Sequence, residues 1–229
     1  VKYHSLRDKV FNVQNLYALD TQCQGYAAFN HVKKNKGTAG LDRVSIQQFE
    51  SDLEKNIQNI HKELKTDIYK PSPVLRVYIP KGRHEKRPLG IPIVKDRVVQ
   101  QAFRQIIEPI FEKDFSDNSF GFRPKRCCHD AIRRLEQYKK EGYIKVVDAD
   151  IQAFYDTIPQ KLILDRLREK ISDGWVLNSI DNMLKAGVME DGILHKTTKG
   201  TPQGGVISPL LANLVGDVID KPLTLDSVT

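Results

Sequence analysis

The sequence predicts an α+β fold, and three observations predict it. Apolar residues recur at intervals of three and four over several stretches, as in helices with one buried face. Two short runs rich in β-branched and aromatic side chains flank a turn rich in Gly and Pro, and the later segment YIKVVDADI reads as a further strand. The length of 229 residues, with 40% hydrophobic and 8% aromatic content, allows one large domain or two small ones. It excludes disordered, collagen-like and small disulfide-stapled chains.

The first clear element is a helix on which Ile46, Phe49, Leu53, Ile57, Ile60 and Leu64 share a face, with Ser45 and Gln48 spaced as a capping box. KGTAGLD before it has the composition of a loop, and Pro71 and Pro73 after it cannot continue a helix. VLRVYI (74–79) and LGIPIV (89–94) are the arms of a β-hairpin over 74–93, with PKGRHEKRPLG as its turn. Five basic residues, Arg76, Lys81, Arg83, Lys86 and Arg87, lie along the hairpin, with Glu85 as the one acid among them.

From Asp96, residues Val98, Val99, Ala102, Phe103, Ile106, Ile107 and Ile110 mark a helix with a wide buried face, broken or bent near Pro109. The loop SDNSFGFRPKR leads to another helix bearing Ala131, Ile132, Leu135 and Tyr138. In the strand YIKVVDADI, side chains two apart share a face, so Asp148 and Asp150 point one way and Val147, Ala149 and Ile151 the other. Two acids at the end of an apolar strand need water, a metal or a cation. Helices over about 160–170 and 175–186, a hairpin turning at EDG, the loop TPQGG, and a last helix with Ser208 at its N-cap and Pro209 in its first position complete the chain.

Charge is uneven: residues 62–145 carry 20 basic against 11 acidic side chains, while the remainder is slightly acidic. A concentrated basic surface favours a polyanionic partner, because each cation that neutralises a phosphate releases condensed counterion. Cys23, Cys127 and Cys128 give neither an even framework nor a CxxC spacing, and Cys127, Cys128 and His129 are too close together to converge on one zinc. With no long apolar run and no signal-peptide core, an intracellular location is expected, bacterial cytoplasm or else an organelle, with no membrane contact.

Five blocks, NKGTAGLD, YIPKGRHEKRPLGIPIVKDRVVQQA, SFGFRPKR, VVDADIQAFYD and TPQGGVISPLLAN, resemble, in order, signature blocks of the reverse transcriptases encoded by group II introns, which also act as splicing maturases. The resemblance covers roughly residues 30–215. It implies right-hand polymerase fingers over 1–142 and a partial, ferredoxin-like palm over 143–229, without a thumb.

It further implies site residues. Asp150, with Asp148 as its competitor, matches the aspartate that holds Mg²⁺ together with the backbone carbonyl of Ile151. Tyr155 matches an aromatic beneath the sugar of the incoming nucleotide, selecting deoxynucleotides; a plain core tyrosine is the alternative. Lys81 and Arg87 match the cations that reach the triphosphate, where charge develops as the bond to the α phosphorus breaks. Gln203 and Gly204 match a loop packing against the templating base pair. Phe122 and Arg123, with Phe120, resemble a template-contacting block, with burial of the two rings in the core as the rival. Arg76, with Arg83 and Lys86, is assigned either to the template backbone or to solubility.

The partners implied are an RNA template or intron RNA, a DNA primer and deoxynucleoside triphosphates; a dimer is conceivable. One expected motif, an aromatic, any residue and then Asp-Asp, is absent, for no Asp-Asp dipeptide occurs in the sequence. The expectation is therefore RNA-directed DNA polymerisation by a parent protein, with this chain truncated and inactive alone. The alternatives are a non-catalytic RNA-binding fragment that assists intron folding, or an inert remnant.

Overall fold

The computed structural model describes residues 24–82, 85–201 and 204–221. Helix α1 (Gln24–Lys34) buries Ala28, Phe29 and Val32, and the Phe29 ring stacks on Phe49 with centroids 5.7 Å apart. The single helix expected over 46–64 is two, α2 (Ile46–Ser51) and α3 (Leu53–Lys65), because Asp52 leaves the helical region with φ −120° and ψ 35°. The capping box is formed: Gln48 N donates to Ser45 Oγ at 3.2 Å, and Ser45 N donates to Gln48 Oε1 at 2.8 Å.

Strands β1 (Val74–Lys81) and β2 (Glu85–Ile91) pair antiparallel, with Leu75 opposite Ile91 and Lys81 opposite Glu85. The second arm thus begins four residues before the expected LGIPIV, and the turn shrinks to the tip. Glu85, Lys86 and Pro88 are poor strand formers, yet the ladder offered by β1 holds them extended, since strand preference is largely set by neighbours.

Helix α4 (Val94–Phe111) is the central element, with an unbroken buried run from Asp96 to Phe103. It continues through Pro109 to Phe111, because a proline in the last turn removes few helical hydrogen bonds, and then tightens into a 3₁₀ turn, Glu112–Asp114. The NKGTAGLD loop docks on the start of α4. Arg97 Nε donates to Pro92 O at 2.8 Å and its Nη2 to Thr38 O, and a side chain on Gly40 would come within 2.7 Å of Ile93 N.

Helix α5 (Cys128–Lys140) has no buried residue. The strand expected over YIKVVDADI is not formed: these residues carry no regular structure, and Ile144, Val146 and Val147 are 85%, 82% and 93% exposed. No described segment offers it a ladder, and β-branched composition cannot make a strand without one.

The chain continues through α6 (Phe154–Thr157), α7 (Gln160–Arg168), α8 (Gly174–Leu184), the hairpin β3 (Val188–Glu190) and β4 (Ile193–His195), and α9 (Ser208–Asp220). Asp173 caps α8 through Trp175 N at 3.0 Å. Ser208 is the first helical residue of α9 and Ile207 occupies its cap position, one residue from expectation. The β3–β4 hairpin joins the first one, since Val74 pairs parallel with Val188, giving a four-stranded mixed sheet in the order β2-β1-β3-β4. One buried apolar cluster runs from Ala28 through Phe103 and Ile163 to Val215, continuous across residue 142. Among the described residues no helix is long and apolar enough to cross a membrane.

Candidate nucleic-acid and nucleotide site

The register of the first hairpin sorts its cations. Residues opposite one another share a face, so Lys81, Glu85, Ile79 and Arg87 lie on one side of the ribbon and Arg76, Tyr78, Gly90 and Lys86 on the other. Lys81 and Arg87 are therefore brought together, both exposed, and Arg76 is turned away from them. The Lys81–Glu85 ion pair spans 3.9 Å between exposed groups and leaves Lys81 available, because such pairs are weak in water.

Gly204 fixes where the TPQGG loop meets this hairpin. Its φ is +99°, and a Cβ there would fall well under 3.0 Å from Gly90 O and at 3.1 Å from Leu89 Cδ1. Only a residue without a side chain permits that approach. Val206 N then donates to Gln100 Oε1 at 2.8 Å, pinning the loop to α4. Gln203, with Pro202, lies outside the described residues, as does Arg83.

Tyr155 sits on α6, half-buried, with its ring edge-on to Phe154 at 6.3 Å. Burial pushes its phenol above the ordinary tyrosine range, so it stays protonated at neutral pH. Its carbonyl accepts from Thr201 N at 2.7 Å, which ties the aromatic to the start of the Gly-rich loop. Ala153 before it has φ +50°, a left-handed conformation uncommon for alanine that turns the chain into α6.

Asp150 and Ile151 are exposed, and Asp150 has no hydrogen-bond or ion-pair partner among the described residues; Asp148 is exposed as well. No group of three or more His, Cys, Asp or Glu side chains among the described residues is placed to hold a metal ion. A two-metal centre needs several oxygen ligands, so Asp150 and the Ile151 carbonyl do not by themselves fit one.

In the SFGFRPKR loop, Phe122 is 67% exposed at φ +56°, whereas Arg123 is buried. The Arg123 guanidinium donates to Glu112 Oε1 at 3.0 Å and to the carbonyls of Ser116, Ser119 and Glu112 at 2.5, 2.8 and 3.1 Å, and lies 5.3 Å from the Phe115 ring. Its donors are committed to the loop itself, so the template contact expected of Arg123 is not open to it in this conformation. The ring expected either at the template or in the core is divided: Phe120 is half-buried beside Arg126, and Phe122 faces solvent.

The sequence profile of reverse transcriptases (RNA-dependent DNA polymerases) matches residues 79–228, from the first hairpin through the Gly-rich loop and beyond. The chain belongs to the reverse transcriptase family. Among curated proteins, this reverse transcriptase chain is 36% identical to Protein YkfC of Escherichia coli K12 over 223 residues, covering 94% of the chain and 58% of YkfC. It is 39% identical to the group II intron-encoded protein LtrA of Lactococcus lactis subsp. cremoris over 215 residues, covering 93% of the chain and 35% of LtrA. It is 33% identical to a putative intron 2 protein of the Saccharomyces cerevisiae COX1/OXI3 gene, over 86% of the chain and 23% of that protein. The chain thus spans little more than half of YkfC and about a third of LtrA. Among solved structures, a Cas6-RT-Cas1–Cas2 complex shares the fold, with TM-score 0.60 at 22% identity over 96% of this chain and 22% of that one.

Basic residues near the Gly-rich loop escaped the sequence reading. Lys196 and Lys199 flank Thr197 and Thr198 in HKTTKG, and the sheet brings this run beside Arg76. The signal available was the pair of lysines just ahead of TPQGG, but their nearness to the first hairpin depends on the β1–β3 pairing.

Proposed function

We propose that this chain supplies the fingers, residues 1–142, and part of the palm, residues 143–229, of an RNA-directed DNA polymerase of the group II intron type. The observation that carries the reading is the common face of Lys81 and Arg87 on a hairpin whose second strand is packed by Gly204. Cations held on one face of a ribbon beside a template-packing loop suit a nucleoside triphosphate, whose β and γ phosphates gain charge in the transition state. Arg87 offers a bidentate fork and Lys81 a mobile point charge. Tyr155 lies under the sugar, Gln203 and Gly204 against the templating pair, and Phe122 and Arg76 along the RNA. Arg123 holds the loop that presents Phe122.

The substrates are an RNA template or intron RNA, a DNA primer and deoxynucleoside triphosphates, and the site of action is the cytoplasm of a bacterium. Mg²⁺ is the metal, with Asp150 and the Ile151 carbonyl as this chain's own contribution to it. A non-catalytic RNA-binding role for the chain by itself is the second reading, favoured by the exposure and isolation of Asp150. Primer extension on an RNA template with Mg²⁺ and deoxynucleotides, run beside binding of the same RNA–DNA duplex, tests both. Salt-dependent binding without extension is expected. Failure to bind at low salt refutes the polymerase reading, and robust extension abolished by Asp150→Ala refutes the inactivity of the chain alone.

A further inference from the structure

On the Arg76 face of the first hairpin, away from Lys81 and Arg87, lies a cleft of about 310 Å³. Its floor is the sheet at Val74, Arg76, Gly90 and Val188, and its wall is residues 196–201, with Asp156 at one side. The wall is held by backbone and buried side chains. Thr197 Oγ1 donates to Leu184 O at 2.7 Å, Gly200 N to Ile158 O at 2.7 Å, and Gln160 Nε2 to Gly200 O at 3.3 Å. Gly200, at φ +72°, is packed so closely that a Cβ would sit 2.5 Å from Tyr155 O.

Three cations, Arg76, Lys196 and Lys199, face one carboxylate, Asp156, in this space. Two of the lining residues each carry a buried polar atom without a partner. Thr201 is only 3% exposed and its Oγ1 makes no hydrogen bond, and Arg76 Nε is buried and likewise donates to nothing. Buried donors left unmade are costly, so an acceptor that reaches both is favoured. The complement to a net positive cleft with donors on two sides is an oxyanion with several acceptor oxygens. None of the lining residues is aromatic, so the cleft has no platform on which a base would stack.

We propose that this cleft binds a backbone phosphate of a nucleic-acid strand running along the hairpin face opposite Lys81 and Arg87. Lys196 and Lys199 follow the strand from the wall, while Arg76 and the Thr201 hydroxyl grip one phosphate between them. The inference rests on the reading of the chain as a nucleic-acid-binding polymerase, and it adds a second track to that reading.

Fluorescence anisotropy of the 229-residue chain with a labelled single-stranded RNA, across a salt series, tests it. Lys196→Ala with Lys199→Ala changes two exposed side chains. It is expected to weaken binding and to make the slope of log K against log salt shallower by about 1.4, as for two lost single-strand contacts. Thr201→Val keeps the side chain's shape and removes its hydroxyl. It is expected to weaken binding roughly tenfold with the slope unchanged, as for one hydrogen bond to a charged group. Wild-type affinity and slope in both variants overturn the inference while leaving the polymerase reading intact. Loss of all RNA binding by the wild-type chain at low salt overturns both. Calorimetry with inorganic phosphate separates the sources: binding of free phosphate that the variants abolish, with RNA affinity untouched, assigns the cleft to a small anion and overturns the strand proposal.

Discussion

Asp96, in the first turn of α4, offers a measurement whose sign is fixed by its surroundings. The carboxylate is 1% exposed, accepts the Tyr69 hydroxyl at 2.7 Å and Ser72 N at 2.8 Å, and is pushed up to about 6 by burial, against the opposing pull of those two hydrogen bonds. Its ordinary value is 3.8, so the folded chain holds the proton more tightly than the unfolded chain does. The stability that this confers is complete below about pH 3.8 and is lost as pH rises through about 6, the reverse of a carboxylate stabilised by ion pairing. A gap of about two pKa units corresponds to about 3 kcal/mol, or a melting shift of roughly 6–12 °C for a chain of this size. Asp96→Asn removes the titration. Its amide oxygen still accepts from Tyr69, and the bond to Ser72 N is lost, a deficit that does not vary with pH. Urea unfolding of both proteins from pH 4 to 8 is expected to show the wild type losing roughly 2–3 kcal/mol relative to the variant, most of it between about pH 4 and 6, with a flat difference above. Parallel stability profiles would refute the buried, proton-retaining carboxylate.

Other substitutions separate structural roles from ligand-facing ones. Gly204→Ala places a methyl group against the Gly90 carbonyl at φ +99°. Left-handed strain and backbone overlap together are expected to cost about 2 kcal/mol or more in chemical denaturation, with weaker RNA–DNA duplex binding. Arg123→Ala strands Glu112 and three carbonyls and is expected to destabilise by roughly 3 kcal/mol. Phe122→Ala, at an exposed ring, is expected to leave stability within about 0.5 kcal/mol and to weaken RNA binding; the opposite ranking of the pair would overturn the division of labour in that loop. Lys81→Ala and Arg87→Ala are expected to leave the fold unchanged and to reduce retention of a deoxynucleoside triphosphate by the primer–template complex, measured by filter binding.

Local chemistry made much of this legible from residues alone. Ser45 and Gln48 cap α2 because a capping box needs only neighbours in sequence, and the 3.6-residue period of Val98, Val99, Ala102, Phe103 and Ile107 locates the buried face of α4. The order of the five blocks pointed to the reverse transcriptase family, and the match over residues 79–228 agrees. The sequence reading failed where a long-range partner decides. YIKVVDADI has strand composition but no ladder, and Glu85–Pro88 has poor composition but a ladder from β1. Arg123 looked like a ligand for RNA because its charge is visible in sequence, while the Glu112 carboxylate and the three carbonyls that enclose it are not.

The sequence by itself determined the family, the helical faces and the residue types suited to phosphate, because motif order, periodicity and charge are properties of the chain read in one dimension. The tertiary structure alone decided which cations lie together. Antiparallel register puts Lys81 and Arg87 on one side of the hairpin and Arg76 on the other, and the parallel pairing of Val74 with Val188 carries Lys196 and Lys199 to Arg76 across more than a hundred residues. Side chains in a sheet alternate sides at every residue, so a shift of one position would exchange those faces, and no count of charges along the chain can fix the register.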